Sequence, residues 1–410
     1  MRTQQALQHL LDETVAAWRG WSAIHQSYVG EHRALVHHSG RVLYALTYQP
    51  TGAVVAAPTT SLPEELGGTR NWDYRYTWLR DASWTMSALW VAACPDEAMD
   101  FFEYLTWSTA GRIDDHHRAQ IMFGVGGEHD LTERELSHLH GYAGSLPVRV
   151  GNGAWDQDQL DVYGELLDAA YRLRDQLGTP PAHVVTFLAS MADTAAARRQ
   201  EPDRGIWEVR GQPRRFLHSQ LMCWVALDRA ARLSPVLGTA EDGARWRAEA
   251  ERVRDAVLVE GWNDRVGAFT QSFGSDQLDA AALMVPLVGF LPSSDPRVRS
   301  TVDAVERILV DERGLVRRYI TESGVDGVAG DEGSFVLCTF WLSQALARDG
   351  EVDRARLYFD RAAAYANDLG LMAEEVDTGT GRPLGNFPQA FSHIGLVNAA
   401  QDLDRASTTA

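Results

Sequence analysis

The stretch Phe335-Val336-Leu337-Cys338-Thr339-Phe340-Trp341-Leu342 is apolar on nearly every side when wound as a helix, whereas Glu351 to Asp368, EVDRARLYFDRAAAYAND, is apolar on one side only. A helix apolar all round belongs in a core; one with a single apolar stripe belongs on a surface. The same contrast recurs along the chain. Leu221 to Leu227 is another all-apolar run, and 181–199 and 239–259 mix Arg, Glu and Asp with Ala and Leu, as an outer layer with one wet face should. Helical spacing predicts a leading helix near 3–18 and then about twelve more, near 31–47, 77–92, 96–110, 157–174, 181–199, 215–234, 239–259, 277–286, 295–310, 333–348, 351–368 and 390–405. Gly52 to Ala57 and Gln120 to Val125 read as short strands set in loops. Pro180 and Pro181 open one helix, and Asp331 stands as an N-cap with Glu332 in the first turn that follows. The chain reads as all-α: a two-layer barrel of helical hairpins without a legible repeat. Residues 1–30 form a leading helix and connector, and 31–410 a single barrel domain.

Composition narrows the function. The 410 residues carry 38 Lys and Arg against 56 Asp and Glu, a formal charge of −18, and the isoelectric point is near 5.1. That charge repels phosphate backbones and anionic lipid, which argues against nucleic acid or a membrane as partner and suits a neutral small molecule. A hydrophobic content of 45% with 23% charged residues is ordinary for an ordered globular chain. Cys94, Cys223 and Cys338 are widely spaced with no CxxC, so neither a disulfide framework nor a zinc site is indicated. At the N-terminus Leu7, Leu10, Leu11, Val15 and Trp18 recur at helical spacing between polar residues, unlike the continuous apolar run of a signal peptide. No stretch nears the about 18 uninterrupted apolar residues of a membrane span. A cytoplasmic protein is expected.

The motifs with chemistry in them sit just ahead of alternate helices. Tyr74 to Asp81, Asn152 to Asp156, Ile206 to Gly211, Arg317 to Tyr319 and Ala373 to Asp377 each precede a helix of the inner kind. A two-layer barrel sends all five to one mouth, as parts of one composite site. Residues 68–81, GTRNWDYRYTWLRD, combine aromatic planes with an Arg/Asp pair. A pyranose offers apolar C–H faces to Trp and Tyr, and a rim of hydroxyls that Arg80 can only donate to and Asp81, when ionised, can only accept from. The same pair would also serve as a buried ion pair capping a Trp-rich helix.

Cleaving a glycosidic bond needs one carboxyl to protonate the leaving oxygen and a second, opposite, as base or nucleophile. Glu208, in Gly205-Ile206-Trp207-Glu208-Val209-Arg210-Gly211, has apolar neighbours that would shield a carboxyl from water, as a general acid working near neutrality requires. Paired with Arg210, it could equally be a surface residue. Glu374 and Glu375 are the second candidates; adjacent carboxylates point different ways, so one of them at most is the base. Other chemistries lack their signatures. Gly124-Val125-Gly126-Gly127 is no complete dinucleotide fingerprint, and neither a phosphate loop nor a GxSxG elbow occurs. His37-His38, His116-His117 and His138-Leu139-His140 do not form a metal motif. No cofactor and no metal are expected.

Taken in order, Trp72 to Asp81, Trp207-Glu208, Arg318-Tyr319, Ala373-Glu374 and Gly385 to His393 resemble the catalytic domain of family 15 glycoside hydrolases, the inverting family of glucoamylases, glucodextranases and bacterial trehalases. The resemblance covers nearly the whole chain and implies an (α/α)6 barrel. It also implies Glu208 as general acid and Glu374 as general base. Arg80, Asp81 and Arg318 would hold hydroxyls of the non-reducing glucose, Tyr74 would face the reacting carbon and steady the base, and Trp78 and Trp207 would wall the pocket. Phe391 departs from the fungal glucoamylases, which have Trp there.

The expected reaction is release of β-glucose from the non-reducing end of short oligosaccharides. Many bacterial members place a β-sandwich domain ahead of the barrel, and this sequence opens at the leading helix, which favours short substrates over polymers. Isomaltose, with its α-1,6 bond, is the first expectation; α,α-trehalose and α-1,4-glucosides are the alternatives. A sugar-binding barrel without catalysis is the alternative from another class.

Overall fold

The computed structural model describes residues 4–110, 118–178, 180–328 and 330–409. Six helices form an inner ring: α3 (Ala82–Val91), α5 (Asp161–Arg172), α7 (Leu217–Leu237), α9 (Met284–Leu287), α11 (Val336–Arg348) and α13 (Ala390–Thr409). Around them lie α2 (Arg33–Ala45), α4 (Pro95–Ala110), α6 (Ala182–Arg198), α8 (Ala240–Glu260), α10 (Pro296–Leu309) and α12 (Val352–Ala363). The inner ring closes on itself. α3 packs on α5, α5 on α7, α7 on the 3-10 turn Ala280–Leu283 that leads into α9, that turn on α11, α11 on α13, and α13 on α3. This is an (α/α)6 barrel.

Sequence patterning explains the two layers. Every residue from Leu221 to Leu227 and from Val336 to Ala347 is buried. In the outer helix α12 only Ala355, Tyr358, Phe359 and Ala362 are buried, one stripe at helical spacing. Each large side chain so buried contributes roughly 1.5–3 kcal/mol. Inner helices approach closely where the sequence is small: a Cβ on Gly164 of α5 would fall 2.3 Å from the Met222 carbonyl oxygen of α7.

The structure departs from the periodicity at three inner helices. Thr77–Trp78 is not the first turn of α3 but a strand paired antiparallel with Met122–Phe123; the helix begins at Ala82 with Asp81 at its cap position. Residues 277–286 do not form one α-helix: a 3-10 turn at Ala280–Leu283 passes into the short helix Met284–Leu287, and Pro286 lacks the N–H that would bond back to the Ala282 carbonyl. Asp331 and Glu332 do not start α11: Ser334–Phe335 is a strand against Glu375–Val376, and the helix opens at Val336. Of the two expected short strands, Ala53–Val54 pairs with Thr47–Tyr48 and Met122–Phe123 with Thr77–Trp78.

The leading helix α1 (Gln4–Ile24) has no buried residue. It docks through Trp21, stacked on Tyr44 at 4.1 Å and donating its indole N–H to Glu97. Among the described residues no helix is long and apolar enough to cross a membrane.

Candidate active site

The segments ahead of the inner helices converge on one pocket, with an empty volume of about 760 Å³ that includes space open to solvent. Tyr74, Trp78, Arg80, Asp81, Trp207, Glu208, Arg318 and Glu374 all line it, and so does Asn152, the first residue of the second segment. Asn152 and Ala154 bring the segment ahead of α5 to this mouth; His116 and His117 lie outside the described residues.

Glu208 is held rigidly. Its Oε1 accepts the Trp78 indole N–H at 2.6 Å and Arg80 Nη1 at 2.8 Å. Its backbone φ is +56°, a left-handed conformation that costs a residue with a side chain roughly 1–3 kcal/mol and is tolerated where the surroundings enforce it. Here Glu208 N–H closes a turn on the Gly205 carbonyl, Val209 N–H reaches Arg204, and Gln157 donates to the Glu208 carbonyl. The strand conformation of Thr77–Trp78 places the Trp78 indole for this contact; a helix start there would not.

Opposite in sequence, Glu374 and Glu375 do point different ways. Glu374 lines the pocket and accepts from the Tyr74 hydroxyl at 3.0 Å and from Gln389 Nε2 at 3.3 Å. Glu375 turns behind the wall, where it accepts the Gly333 N–H at 2.9 Å. Burial pushes the Glu374 carboxyl up to about 7, against the opposing pull of Arg318, Tyr74 and Gln389. Burial likewise holds the Tyr74 hydroxyl well above its ordinary range, so it remains a donor.

The floor of the pocket is charged. Arg80 joins Asp81 at 3.2 Å and donates to the Ile206 carbonyl at 2.7 Å, with its guanidinium 5.2 Å from the centre of the Phe391 ring. Burial pushes Asp81 up to about 7 although Arg80 pulls it down. Arg318 pairs with Glu332 at 2.5 Å and lies 5.3 Å from the Trp207 ring. Trp207 is fixed through its indole N–H, shared between both oxygens of Asp279 at 2.9 and 3.0 Å.

Glu64, Arg70, Asp326 and Glu332 complete this wall; the sequence predicts none of them as a site residue and places Glu332 at a helix start. Glu64 sits 3.5 Å from the Tyr74 hydroxyl and 3.9 Å from Arg318, and burial pushes its carboxyl up to about 8. Arg70 bridges Asp326 at 2.6 Å and Glu332 at 3.2 Å. Arg70 lies inside the quoted stretch 68–81 and Glu64 four residues ahead of it, so the only signal either carried was nearness to the aromatic residues. Asp326 and Glu332 come from a loop whose folding no local pattern announces.

The barrel is closed, and Glu208 and Glu374 both line its mouth pocket, the arrangement of a two-carboxylate hydrolase. The sequence profile of glycosyl hydrolases family 15 matches residues 30–401, and the chain belongs to that family. It is 45% identical over 401 residues to a trehalase of Mycolicibacterium smegmatis and 44% identical over 398 residues to a trehalase of Mycobacterium tuberculosis, with 97% of this chain covered in each case. The chain spans 59% and 58% of the lengths of those relatives. A bacterial glucoamylase solved in complex with acarbose shares the fold, with a TM-score of 0.77 over 97% of this chain and 59% of its own, at 16% identity.

Proposed function

We propose that this chain hydrolyses α,α-trehalose with inversion at the attacked carbon. The observation that carries the reading is the meeting of Glu208 and Glu374 in one pocket whose Arg80/Asp81 end is the more enclosed, with 12% and 10% of those side chains exposed. The substrate follows from the relatives, both named trehalase and matched over nearly all of this chain. They favour trehalose over the α-1,6 bond that the resemblance to the family had suggested.

In this mechanism one glucose lies at the closed end, its hydroxyls on Arg80, Asp81 and Arg318 and its faces against Trp78 and Trp207. Both donors to Glu208 engage Oε1, so Oε2 is the oxygen that carries the proton to the glycosidic oxygen. Glu374, ionised and oriented by Tyr74, removes a proton from a water that attacks the opposite face. The C1–O bond breaks, the new C1–OH is β, and the departing glucose keeps its α configuration. Because Glu374 is pushed up to about 7, the base is lost to protonation below that pH and the rate falls on the acid side.

Proton NMR of the earliest products tests the reading against trehalose, isomaltose and maltose. Inversion on trehalose yields α- and β-glucose in equal amounts at first. Two α-glucoses would overturn inversion, and preferred cleavage of isomaltose or maltose would overturn the substrate.

A further inference from the structure

Two residues beyond Glu208, Arg210 marks the open end of the pocket. Its side chain keeps 37% of its surface exposed, against 12% for Arg80 and 10% for Asp81 and Arg318. A disaccharide entering with one glucose at the closed end leaves its second sugar beside Arg210.

Arg210 is not a loose surface cation. Glu133 accepts from its Nη2 at 3.2 Å, while the other oxygen of Glu133 lies 3.3 Å from Nε of Arg149. The guanidinium carbons of Arg210 and Arg149 lie 4.4 and 4.8 Å from the centre of the Trp72 ring, so one carboxylate ties two guanidinium groups to one indole. Buried Arg149 anchors the assembly by donating Nη1 to the carbonyls of Thr69 and Asn71, at 3.0 and 2.8 Å. Gly153 donates its N–H to Glu133 at 3.0 Å, and a Cβ there would come 3.4 Å from Arg210 Nη2. Segments 69–72, 133–153 and 207–210 are thereby locked together at the rim. A guanidinium carries five N–H donors in a planar fork, which suits the neighbouring hydroxyls of a sugar. One already fixed in place loses little freedom on binding.

We propose that Arg210, clamped by Glu133 against Trp72, holds the hydroxyls of the leaving sugar and so decides which disaccharide the pocket accepts. The inference rests on the hydrolase reading above and adds the second sugar to it.

The test compares two substrates that share the first glucose. Trehalose has a leaving sugar; α-glucosyl fluoride has only fluoride. For Arg210→Ala the ratio of kcat/KM on trehalose to that on the fluoride falls by at least about tenfold, mostly through KM. Arg210→Lys keeps the charge without the fork and falls part of the way. Glu133→Gln frees the arginine and shifts the ratio in the same direction by less, and these two milder variants carry the test if the alanine variant does not fold. A ratio unchanged to within about twofold, or equal losses on both substrates, overturns the role. A wrong linkage shows in the wild type, and the ratio is then taken on whichever disaccharide it cleaves. A wild type that cleaves trehalose, isomaltose and maltose not at all overturns both readings.

Discussion

The two ends of the inner ring carry buried charge in opposite ways. Farther from the pocket, Asp168 in the third turn of α5 accepts from Ser83, in the first turn of α3, at 2.5 Å, and from Arg172 and Arg229, in later turns of α5 and α7, at 2.6 and 2.7 Å. Burial alone would raise its pKa, but the two guanidinium groups outweigh it and hold the carboxyl well below the usual range. Arg348 closes the same end through Asp402 at 2.9 Å and the Leu287 carbonyl at 2.7 Å. At the mouth, Glu64, Glu332, Glu374 and Glu375 crowd around Arg318 and Arg70. There Glu64 Oε2, Glu374 Oε2 and Glu375 Oε1 have no hydrogen-bond partner among the described residues, and Glu64 and Glu374 are pushed up to about 8 and 7. A satisfied network stabilises a fold, whereas an unsatisfied one is kept where a substrate or a proton completes it.

The largest expected effect breaks the mouth as a catalyst. Glu208→Gln cannot protonate the leaving oxygen and Glu374→Gln cannot accept a proton, so each lowers kcat on trehalose by about 10³-fold or more. Both keep the shape of the pocket, and glucose binding measured by calorimetry stays within about threefold of wild type. Turnover within about tenfold of wild type in either variant would sink the assignment of that carboxyl.

A change at the far end has the opposite character. Asp168→Ala takes a shared carboxylate from half-buried Arg172 and from buried Arg229, which keeps only Asp228, and removing one partner of a buried ion pair costs up to about 3–5 kcal/mol. Urea unfolding should show that loss, while kcat/KM of the protein still folded stays within about twofold of wild type. Activity that collapses in the folded protein would show that the two ends are coupled and do not differ in role.

Much of this contrast was legible in the sequence, and the limit has a physical cause. The alternation of all-apolar and one-striped helices, from Leu221 to Leu227 against 239–259 and Phe335 to Leu342 against 351–368, follows from local spacing and predicted the two rings. Five charged segments ahead of inner helices predicted one mouth. What could not be read was pairing between distant residues. Nothing near Glu332 announces that it will bind Arg318 and Arg70 rather than cap α11. Nothing in Thr77–Trp78 reveals that Met122–Phe123 will draw it into a strand. Glu374 and Glu375 were separable in principle, since neighbours on a strand face opposite ways, but that strand pairs with Pro383–Leu384 on one side and, on the other, with Ser334–Phe335, some forty residues earlier in the chain.

The same Glu374→Gln variant gives a smaller and sharper test, because its sign is opposite to that of Asp168→Ala. The folded Glu374 carboxyl ionises near 7 and the unfolded one in the ordinary carboxylate range, so between those values the folded chain holds more protons than the unfolded chain. The contribution of this group to stability is therefore fully present below the ordinary value and is lost as pH rises through about 7. At pH 8 the wild type bears the whole penalty of a buried anion, and Gln, neutral and still able to accept from Tyr74, bears none of it. Glu374→Gln should therefore be more stable than wild type at pH 8, by at most about 3 kcal/mol, with the gap closing toward pH 4.5. Thermal unfolding at the two pH values measures it. A variant less stable than wild type at pH 8 would mean that the mouth, like the far end, is held together by its charges.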